Sequence, residues 1–279
     1  MTDGQADLRP RRAIRVDVPF EVRADREVEG LDRVRRLERR EGSTHDPSVI
    51  AWTFDETHGA RMTPELFTHV PDLPPDGGLL LDLGCGETAV YAPLLRSTGF
   101  DYVGLDVAGT TPDVLADAHR LPFRDGSVDA VVAISVLEHL RVPAVAMREI
   151  HRVLRPGGVL VGSVALVEPF HMDSYLHHTH LGTLAALTDA GFKVDVVAPT
   201  DDWSGLQAYA EMALFPGFWR TSWLVAAPIV RVVRALSWMW WRVVGSVGRL
   251  DRDRRHRQLL LASGFRYVAR RPPTAGATG

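Results

Sequence analysis

The feature that most constrains the fold is a short apolar run that ends in a glycine turn, Leu79-Leu80-Leu81-Asp82-Leu83-Gly84-Cys85-Gly86. Consecutive apolar positions over so short a run are typical of a strand that is buried on both faces of a parallel sheet. Similar runs alternate with helical patterns along the chain, which predicts parallel strands joined by helical crossovers. The predicted strands are 79–83, 102–105, 130–134, 159–164, 194–197 and 265–269. The chain is therefore expected to form a doubly wound α/β sheet.

Composition divides the chain into six segments around this sheet. Alternating Arg, Asp and Glu without a sustained apolar stripe indicate a charged, partly disordered N-terminal segment, and Pro71, Pro74 and Pro75 end the apolar segment that follows. An apolar stretch rich in Trp and Arg separates the last two predicted strands. The predicted boundaries are 1–42 for the charged segment, 43–76 for an N-terminal helical cap, 77–200 for the cofactor-binding core, 201–261 for a helical insert, 262–271 for the last core strand and 272–279 for a flexible tail.

The charge balance and the cysteine count exclude several classes of function. The 279 residues include 32 Lys or Arg and 35 Asp or Glu, and the formal net charge of -3 gives no overall positive field for a nucleic-acid backbone. No nucleic-acid partner is therefore expected. The single cysteine, Cys85, cannot form an internal disulfide, and no N-terminal run resembles a signal peptide, so a cytoplasmic protein is expected. No uncharged apolar stretch of about 18 residues is present, which disfavours a membrane span and leaves contact with a membrane surface open.

The turn at Gly84 and Gly86 is expected to bind a nucleotide-like cofactor. It lies at the edge of the sheet where doubly wound folds bind ligands. Asp106 lies 20 residues beyond Gly86, at the end of the next predicted strand, where a carboxylate can accept hydrogen bonds from both hydroxyls of a ribose. Gly84-x-Gly86-x-x-Ala89 also fits the dinucleotide fingerprint, so a nicotinamide cofactor is the alternative. Asp82 disfavours it, because a carboxylate before the turn repels a pyrophosphate but attracts a cofactor with an amino group and a sulfonium.

Six motifs in order resemble the class I S-adenosylmethionine-dependent methyltransferases, in particular their small-molecule branch. The motifs are Leu81-Asp82-Leu83-Gly84-Cys85-Gly86, Gly104-Leu105-Asp106, Ala116-Asp117-Ala118 with Leu121-Pro122-Phe123, Ser127-Val128-Asp129-Ala130-Val131-Val132, Val136-Leu137-Glu138-His139-Leu140, and Glu149-Ile150-His151-Arg152-Val153-Leu154-Arg155-Pro156-Gly157-Gly158. The resemblance covers residues 78–199. It implies a Rossmann-like methyltransferase sheet of the seven-stranded type, with S-adenosylmethionine as the cofactor.

The resemblance also implies which residues bind this cofactor. The first motif would hold the methionine part, Asp106 the ribose, and Asp117 with the next backbone N–H the adenine. The full set of implied cofactor-binding residues is Asp82, Gly84, Cys85, Gly86, Asp106, Asp117, Ala118, Ser135 and Val136.

Three histidines are the candidate catalytic residues, because an acceptor that must lose a proton needs a base. His139 follows the third of the predicted strands, and a neutral imidazole can take a proton near neutral pH. The alternative is that Glu138-His139 only closes the cofactor pocket by hydrogen bonds. His177 and His178 lie in the loop after the fourth strand, which borders the substrate pocket in the methyltransferases that the chain resembles; Thr179 is expected to cap the next helix. No metal site is expected, since no nearby Cys completes a zinc spacing.

The insert contains a predicted amphipathic helix within 223–250. Arg231, Arg234, Arg242 and Arg249 fall in one sector at about 100° per residue, and the apolar side chains Val232, Val233, Leu236, Met239, Trp240, Val243 and Val247 spread over the opposite side. This pattern fits a helix in a membrane interface, and it also fits a lid or a homodimer helix packed on protein. A membrane contact would imply a lipid-linked acceptor and a peripheral location at the inner face of the membrane. A lid would enclose a bulky apolar metabolite.

The sequence thus predicts an S-adenosylmethionine-dependent methyltransferase that acts on oxygen of a small or lipid-linked metabolite. One alternative is a nicotinamide-dependent oxidoreductase, which Asp82 and the lack of a Tyr-x-x-x-Lys pair disfavour. Another is a catalytically inactive, methyltransferase-like scaffold at a membrane surface. The intact acids Asp82, Asp106 and Asp117 disfavour the scaffold.

Overall fold

One mixed sheet forms the centre of the molecule. The computed structural model describes residues 14–15, 64–167, 174–199, 205–209, 219–246 and 262–273. Its strands are β1 (Ile14–Arg15), β2 (Leu79–Leu83), β3 (Asp101–Asp106), β4 (Val114–Leu115), β5 (Val128–Ile134), β6 (Leu154–Ala165), β7 (Lys193–Pro199) and β8 (Gly264–Arg270). They run in the order β1-β4-β3-β2-β5-β6-β8-β7. Neighbouring strands are parallel except β8, which is antiparallel to both β6 and β7. The predicted Rossmann-like α/β sheet is confirmed.

The helices lie between the strands in chain order. They are α1 (Pro64–Thr68), α2 (Ala92–Arg96), a single 3-10 turn (Leu137–His139), α3 (Pro143–Val153), α4 (His180–Asp189), α5 (Gly205–Tyr209) and α6 (Trp219–Ser246). Thr179 caps α4 as the sequence predicts, because its hydroxyl oxygen accepts the N–H of Gly182 at 3.0 Å. Helices α5 and α6 separate β7 from β8 in the chain, so the described part of the insert is helical.

Strand β2 is buried on both faces, as its apolar run predicts. Leu81 and Leu83 belong to the apolar cluster that contains Met147 of α3, on one side of the sheet. Leu80 belongs to the other cluster, with Leu66 of α1. Burial on both sides fixes β2 at the centre of the sheet, so the turn that follows it lies where a ligand can approach the strand ends.

The helix after the glycine turn begins later than the sequence predicts. The motif suggests a helix that passes through Tyr91 and Leu95, whereas α2 spans only Ala92–Arg96. Ala89 has a φ of 42°, in the left-handed region, which interrupts a right-handed helix. Pro93 then occupies the first turn of α2, where its missing N–H costs no hydrogen bond.

Several predicted segments fall largely outside the described residues. Of the charged segment 1–42 the structure describes Ile14–Arg15, which pairs with β4, and of the cap it describes 64–76. Of the insert 201–261 it describes α5 and α6, and of the tail it describes residues 272–273. The boundaries of those segments remain predictions.

Candidate cofactor and active site

One cavity of about 470 Å3 opens at the carboxyl ends of β2, β3 and β5. The predicted residues that line it are Gly84, Asp106, Asp117, Ala118, Ser135, Val136 and His139. The other lining residues are Leu83, Leu105, Val107, Ala116, His119, Leu140, Arg141 and Tyr175. This is the edge where doubly wound folds bind ligands, and the volume is in the range of cofactor sites. The fold thus brings motifs from three strand ends into one pocket wall.

The glycine turn approaches the neighbouring loop too closely for a side chain. Gly84 has a φ of 69°, and a Cβ built on it would lie 2.6 Å from Cγ2 of Val136. The N–H groups of Gly84 and Cys85 both donate to the carbonyl oxygen of Leu105, at 2.8 and 3.2 Å. The turn is therefore held against the end of β3, and glycine at position 84 is required by both conformation and space.

Asp106 is fixed at the end of β3 by backbone donors on two sides. Its Oδ2 accepts the N–H of Gly86 at 2.9 Å, and its Oδ1 accepts the N–H of Val107 at 2.7 Å. The 20-residue spacing between Gly86 and Asp106 thus corresponds to direct contact. The carboxylate is held in one orientation in the cavity wall, as recognition of a ribose requires.

Asp117 is held by a histidine that the sequence analysis did not single out. Its Oδ1 accepts the backbone N–H of His119 at 2.8 Å and lies 2.5 Å from Nδ1 of the same ring. The N–H of Val142 donates to Nε2 of His119 at 3.2 Å, so the ring is held between this N–H and the carboxylate of Asp117. Burial raises the pKa of Asp117, but the hydrogen bonds from His119 outweigh burial and the net pKa is lowered. Asp117 is therefore ionised and oriented at neutral pH.

Asp82 lies directly behind the glycine turn and does not line the cavity. Its side chain is 2% exposed, and the hydroxyl of Tyr102 donates to Oδ2 at 2.8 Å. Burial raises the pKa of Asp82 to about 6; the Tyr102 hydrogen bond opposes this rise and the charge of Asp106 adds to it. Cys85 and Gly86 also lie in the turn without lining the cavity. Burial, with the charge of Asp82, raises the pKa of the Cys85 thiol to about 12, so the thiol is not a nucleophile.

Ser135 has a backbone conformation that its residue type does not predict. Its φ is 54°, which is strained for a residue with a Cβ, and its N–H donates to Oγ and to the carbonyl oxygen of Ser163 at 3.2 and 3.1 Å. This bend directs the chain from β5 into the 3-10 turn, which carries His139 to the cavity wall. The predicted base candidate His139 is thereby placed beside the predicted cofactor residues.

The loop before α4 brings Tyr175, rather than His177 or His178, to the cavity. The carbonyl oxygen of Glu138 accepts the N–H of Tyr175 at 2.7 Å, and Oε1 of the buried Glu138 accepts the N–H of Ala165 at 3.1 Å. His177 is exposed. His178 is buried, and its backbone N–H donates to the carbonyl oxygen of Ala165 at 3.0 Å. Burial, and then the charge of His177, lower the pKa of His178.

A cluster of charged groups on α3 holds the loop that carries Asp117 and Ala118. Glu149 Oε2 accepts the N–H of Leu121 at 2.9 Å. Arg152 donates from Nη2 to the Leu121 carbonyl oxygen and from Nη1 to the Phe123 carbonyl oxygen, both at 2.9 Å, and it pairs with Glu149 at 2.7 Å. Glu149 and Arg152 therefore stabilise the wall of the cavity, because they hold the loop that forms part of it.

Two polar residues of the cavity were missed by sequence reasoning. They are His119 and Arg141. A signal existed for His119, since a residue two positions after an Asp can donate to its carboxylate in an Asx turn. Arg141 carried no such signal, because its loop meets the cavity only in the folded chain. Tyr175 lies in the loop of His177 and His178, which the sequence predicts to border the substrate pocket. In the described ranges, no three His, Cys, Asp or Glu side chains come together as metal ligands would.

The sheet and the turn agree with the motifs. The sheet is doubly wound with one reversed strand next to its edge, a glycine turn follows the central strand, and an acid ends the next strand. Residues 81–162 match the family model of the methyltransferase domain. Residues 81–162 therefore form a methyltransferase domain, the family that the motifs predict.

The proteins whose sequences resemble this chain match only part of it. A segment of 104 residues is 36% identical to the 2-methyl-6-phytyl-1,4-hydroquinone methyltransferase of Synechocystis sp., covering 32% of this chain and 33% of that protein. Over the first three curated relatives, the match spans 33% to 59% of the relative's length.

Two solved structures share the fold. The complex of the Haloferax volcanii Trm112 methyltransferase activator with a methyltransferase matches with a TM-score of 0.51 and 21% identity, covering 76% of this chain and 88% of the other. The [4+2]-cyclase SpnF matches with a TM-score of 0.50 and 20% identity, covering 88% of this chain and 94% of that one. Since a cyclase shares the fold, the reaction must be argued from the site.

Proposed function

We propose that the protein is an enzyme that transfers a methyl group from S-adenosylmethionine to an oxygen atom of a small or lipid-linked metabolite. The observation that carries this proposal is the single cavity wall that unites Gly84, Asp106, Asp117 and Ala118. Those residues come from the turn after β2, the end of β3 and the loop after β4, and the resemblance assigns them to the methionine, ribose and adenine parts of the cofactor.

The residues fit S-adenosylmethionine in their chemistry. The fixed carboxylate of Asp106 suits two ribose hydroxyls, and the ionised carboxylate of Asp117 suits the exocyclic amine of adenine, with the backbone of Ala118 beside it. Gly84 keeps the turn close to Val136 in the wall where the methionine part would lie, and Asp82 behind it adds negative charge when it is ionised, which favours a cationic ligand. Ser135 and Val136 complete the wall.

His139 is the proposed base. Bound S-adenosylmethionine supplies a methyl group on a positively charged sulfur. His139 would accept the proton of the acceptor hydroxyl. The residues of the pocket wall would orient the acceptor and exclude water. His177 and His178 stay as second candidates, because their loop borders the same opening through Tyr175.

An apolar acceptor with a hydroxyl group is the proposed substrate class. The Synechocystis relative is named for a hydroquinone with a phytyl chain, which combines a ring hydroxyl with a lipid tail. Leu140 and Tyr175 supply apolar contact area at the cavity. With such an acceptor we propose a cytoplasmic enzyme that works at the inner face of the membrane.

The first experiment is calorimetric titration of the full chain with S-adenosylmethionine, S-adenosylhomocysteine and NAD in parallel. Micromolar binding of the first two without NAD supports the proposal, and Asp106→Ala should abolish it. Asp101→Ala is the matched control, because Asp101 is an exposed residue at the other end of the same strand. Binding of NAD alone would favour the oxidoreductase, and binding of none would favour the scaffold.

The second experiment tests the base. His139→Ala should lower turnover of a hydroxyl acceptor about a hundredfold while the affinity for S-adenosylhomocysteine stays within about twofold. Unchanged turnover would eliminate His139 as the base, and the same assay on His177→Ala and His178→Ala would then examine the second candidates.

A further inference from the structure

Helix α6 has an exposed apolar stripe that runs from Ile229 to Val243. The stripe consists of Ile229, Val232, Val233, Leu236, Met239, Trp240 and Val243, whose exposed fractions lie between 41% and 67%. The residues repeat at spacings of three and four, so they share one side of the helix. At a rise of about 1.5 Å per residue, the stripe is roughly 21 Å long. A continuous apolar surface of this size marks an interaction site.

The stripe points away from the parts of the protein that the structure describes. Among the described side chains of α6, Ala227 and Val230 are buried, at 9% and 3% exposed, and their spacing of three places them together on another side of the helix. The helix is therefore attached to the protein by its Ala227 side, near α5, which contacts α6. The apolar stripe lies on a side of the helix away from this contact.

The charge of α6 indicates the kind of partner. The helix contains four arginines, Arg220, Arg231, Arg234 and Arg242, and no Asp, Glu or Lys, although the whole chain has a formal net charge of -3. Arg231, Arg234 and Arg242 are exposed on the side opposite the stripe. The guanidinium of Arg242 lies 4.7 Å from the ring centre of Trp238, which is itself 54% exposed. One segment thus combines an apolar stripe, exposed indole rings and a concentration of positive charge.

We infer that α6 lies in the surface of an anionic lipid bilayer, with the stripe among the acyl chains and the arginines at the level of the phosphates. Tryptophan suits this boundary because its ring is apolar and its N–H is polar. Among the described residues, no helix has the length and apolar character needed to cross a membrane, and an amphipathic helix of this kind lies in the membrane plane. A second copy of the chain is the weaker occupant, because it would add four more arginines of α6 and no acid from that helix. This inference goes beyond the proposed reaction and does not depend on it.

Vesicle sedimentation of the full chain without cofactor tests the inference. The protein should sediment with vesicles of equal parts phosphatidylglycerol and phosphatidylcholine, and much less with phosphatidylcholine alone. Added salt should weaken the binding, because it screens the attraction between the arginines and the phosphates. Failure to sediment with the anionic vesicles overturns the inference, whatever the outcome of the cofactor titrations.

Variants separate the contribution of the apolar stripe to vesicle binding from that of the arginines. Replacement of Val232, Leu236 and Trp240 together by Ser should lower the partition coefficient at least about tenfold. Arg231→Gln with Arg234→Gln should lower it about fivefold per arginine on the anionic vesicles and little on neutral ones.

The matched control replaces three exposed leucines elsewhere, Leu73, Leu94 and Leu181, by Ser and should bind as the wild type does. Circular dichroism and the melting temperature check that each variant folds. An equal loss in the control overturns the inference. So does a dimer, seen by size-exclusion chromatography, that the stripe variant dissociates while the vesicles capture nothing.

Discussion

Nδ1 of His119 lies 2.5 Å from Oδ1 of Asp117, and the ring belongs to the same cavity wall as the carboxylate. The side chain of His119 is 11% exposed, so little water competes for this contact. On its other side the ring accepts the N–H of Val142, the residue before α3. His119 is therefore a positioning residue, which holds an acid that we propose to bind adenine.

Removal of the His119 ring should weaken cofactor binding. We expect His119→Ala to raise the dissociation constant of S-adenosylhomocysteine about tenfold, or ~1.4 kcal/mol, because the Asp117 carboxylate loses a charge-assisted hydrogen bond and its fixed orientation. His119→Asn, which retains a donor near Asp117, should keep part of the affinity. Calorimetric titration measures both, and His69→Ala outside the site is the control. Equal affinities in wild type and His119→Ala would refute the positioning role.

The two glycines of the turn should differ in their tolerance of a methyl group. Both have a φ of 69°, but a Cβ at Gly84 meets Val136 at 2.6 Å, whereas a Cβ at Gly86 meets nothing within 4 Å. Each Ala variant should lose about 1 kcal/mol of unfolding free energy to backbone strain, and Gly84→Ala a further ~1–3 kcal/mol to overpacking.

Urea unfolding measures this difference between the glycines. In the double variant, Val136→Ala should restore part of the stability lost by Gly84→Ala. If Gly84→Ala and Gly86→Ala are equally stable, the close contact with Val136 is not what requires glycine at position 84.

Asp82 should make the stability of the protein depend on pH. Its pKa is about 6 in the folded protein against 3.8 for the unperturbed group, so the folded state binds this proton more tightly than the unfolded chain. The contribution of this proton to the unfolding free energy is fully present below pH 3.8 and is lost as the pH rises through about 6. Its upper size is about 3 kcal/mol.

Between pH 4 and pH 7 the unfolding free energy of the wild type should therefore fall more than that of Asp82→Asn. Denaturant unfolding at the two pH values measures this, and Asp101→Asn at the exposed end of β3 should behave as the wild type does. Parallel curves for wild type and Asp82→Asn would contradict the prediction.

Arg152 should stabilise the loop that carries Asp117. Arg152→Ala removes hydrogen bonds to the Leu121 and Phe123 carbonyl oxygens and the pair with Glu149, and we expect a loss of about 2 kcal/mol in unfolding free energy. The affinity for S-adenosylhomocysteine should fall with it, because the loop includes Ala118. Arg148→Ala, at an exposed position on the same helix, should change stability by less than about 0.5 kcal/mol. Similar effects of the two variants would contradict the role of this cluster.

Local sequence patterns predicted six of the eight described strands and the first cofactor residues, but not the two-residue strands β1 and β4. The apolar run at 79–83 coincides with β2, and the spacing from Gly86 to Asp106 places the acid in hydrogen-bond contact with the turn. The helix through Tyr91 was predicted too long, because the left-handed Ala89 has no signature in its residue type. Periodicity reports burial and regular structure, and it does not report a strained bend between two elements.

Six strands, the glycine turn, the acids at 82, 106 and 117 and the amphipathic pattern of the insert could be predicted, because each depends on residues that are neighbours in the chain. Folding was needed to show that His119, Arg141 and Tyr175 join His139 at one cavity, that Asp82 is buried behind the turn, and that the stripe on α6 is exposed. These properties depend on which loops come into contact and on how exposed each side chain is to water. Packing between residues that are far apart in the chain determines both, and a local sequence pattern contains no information about such packing.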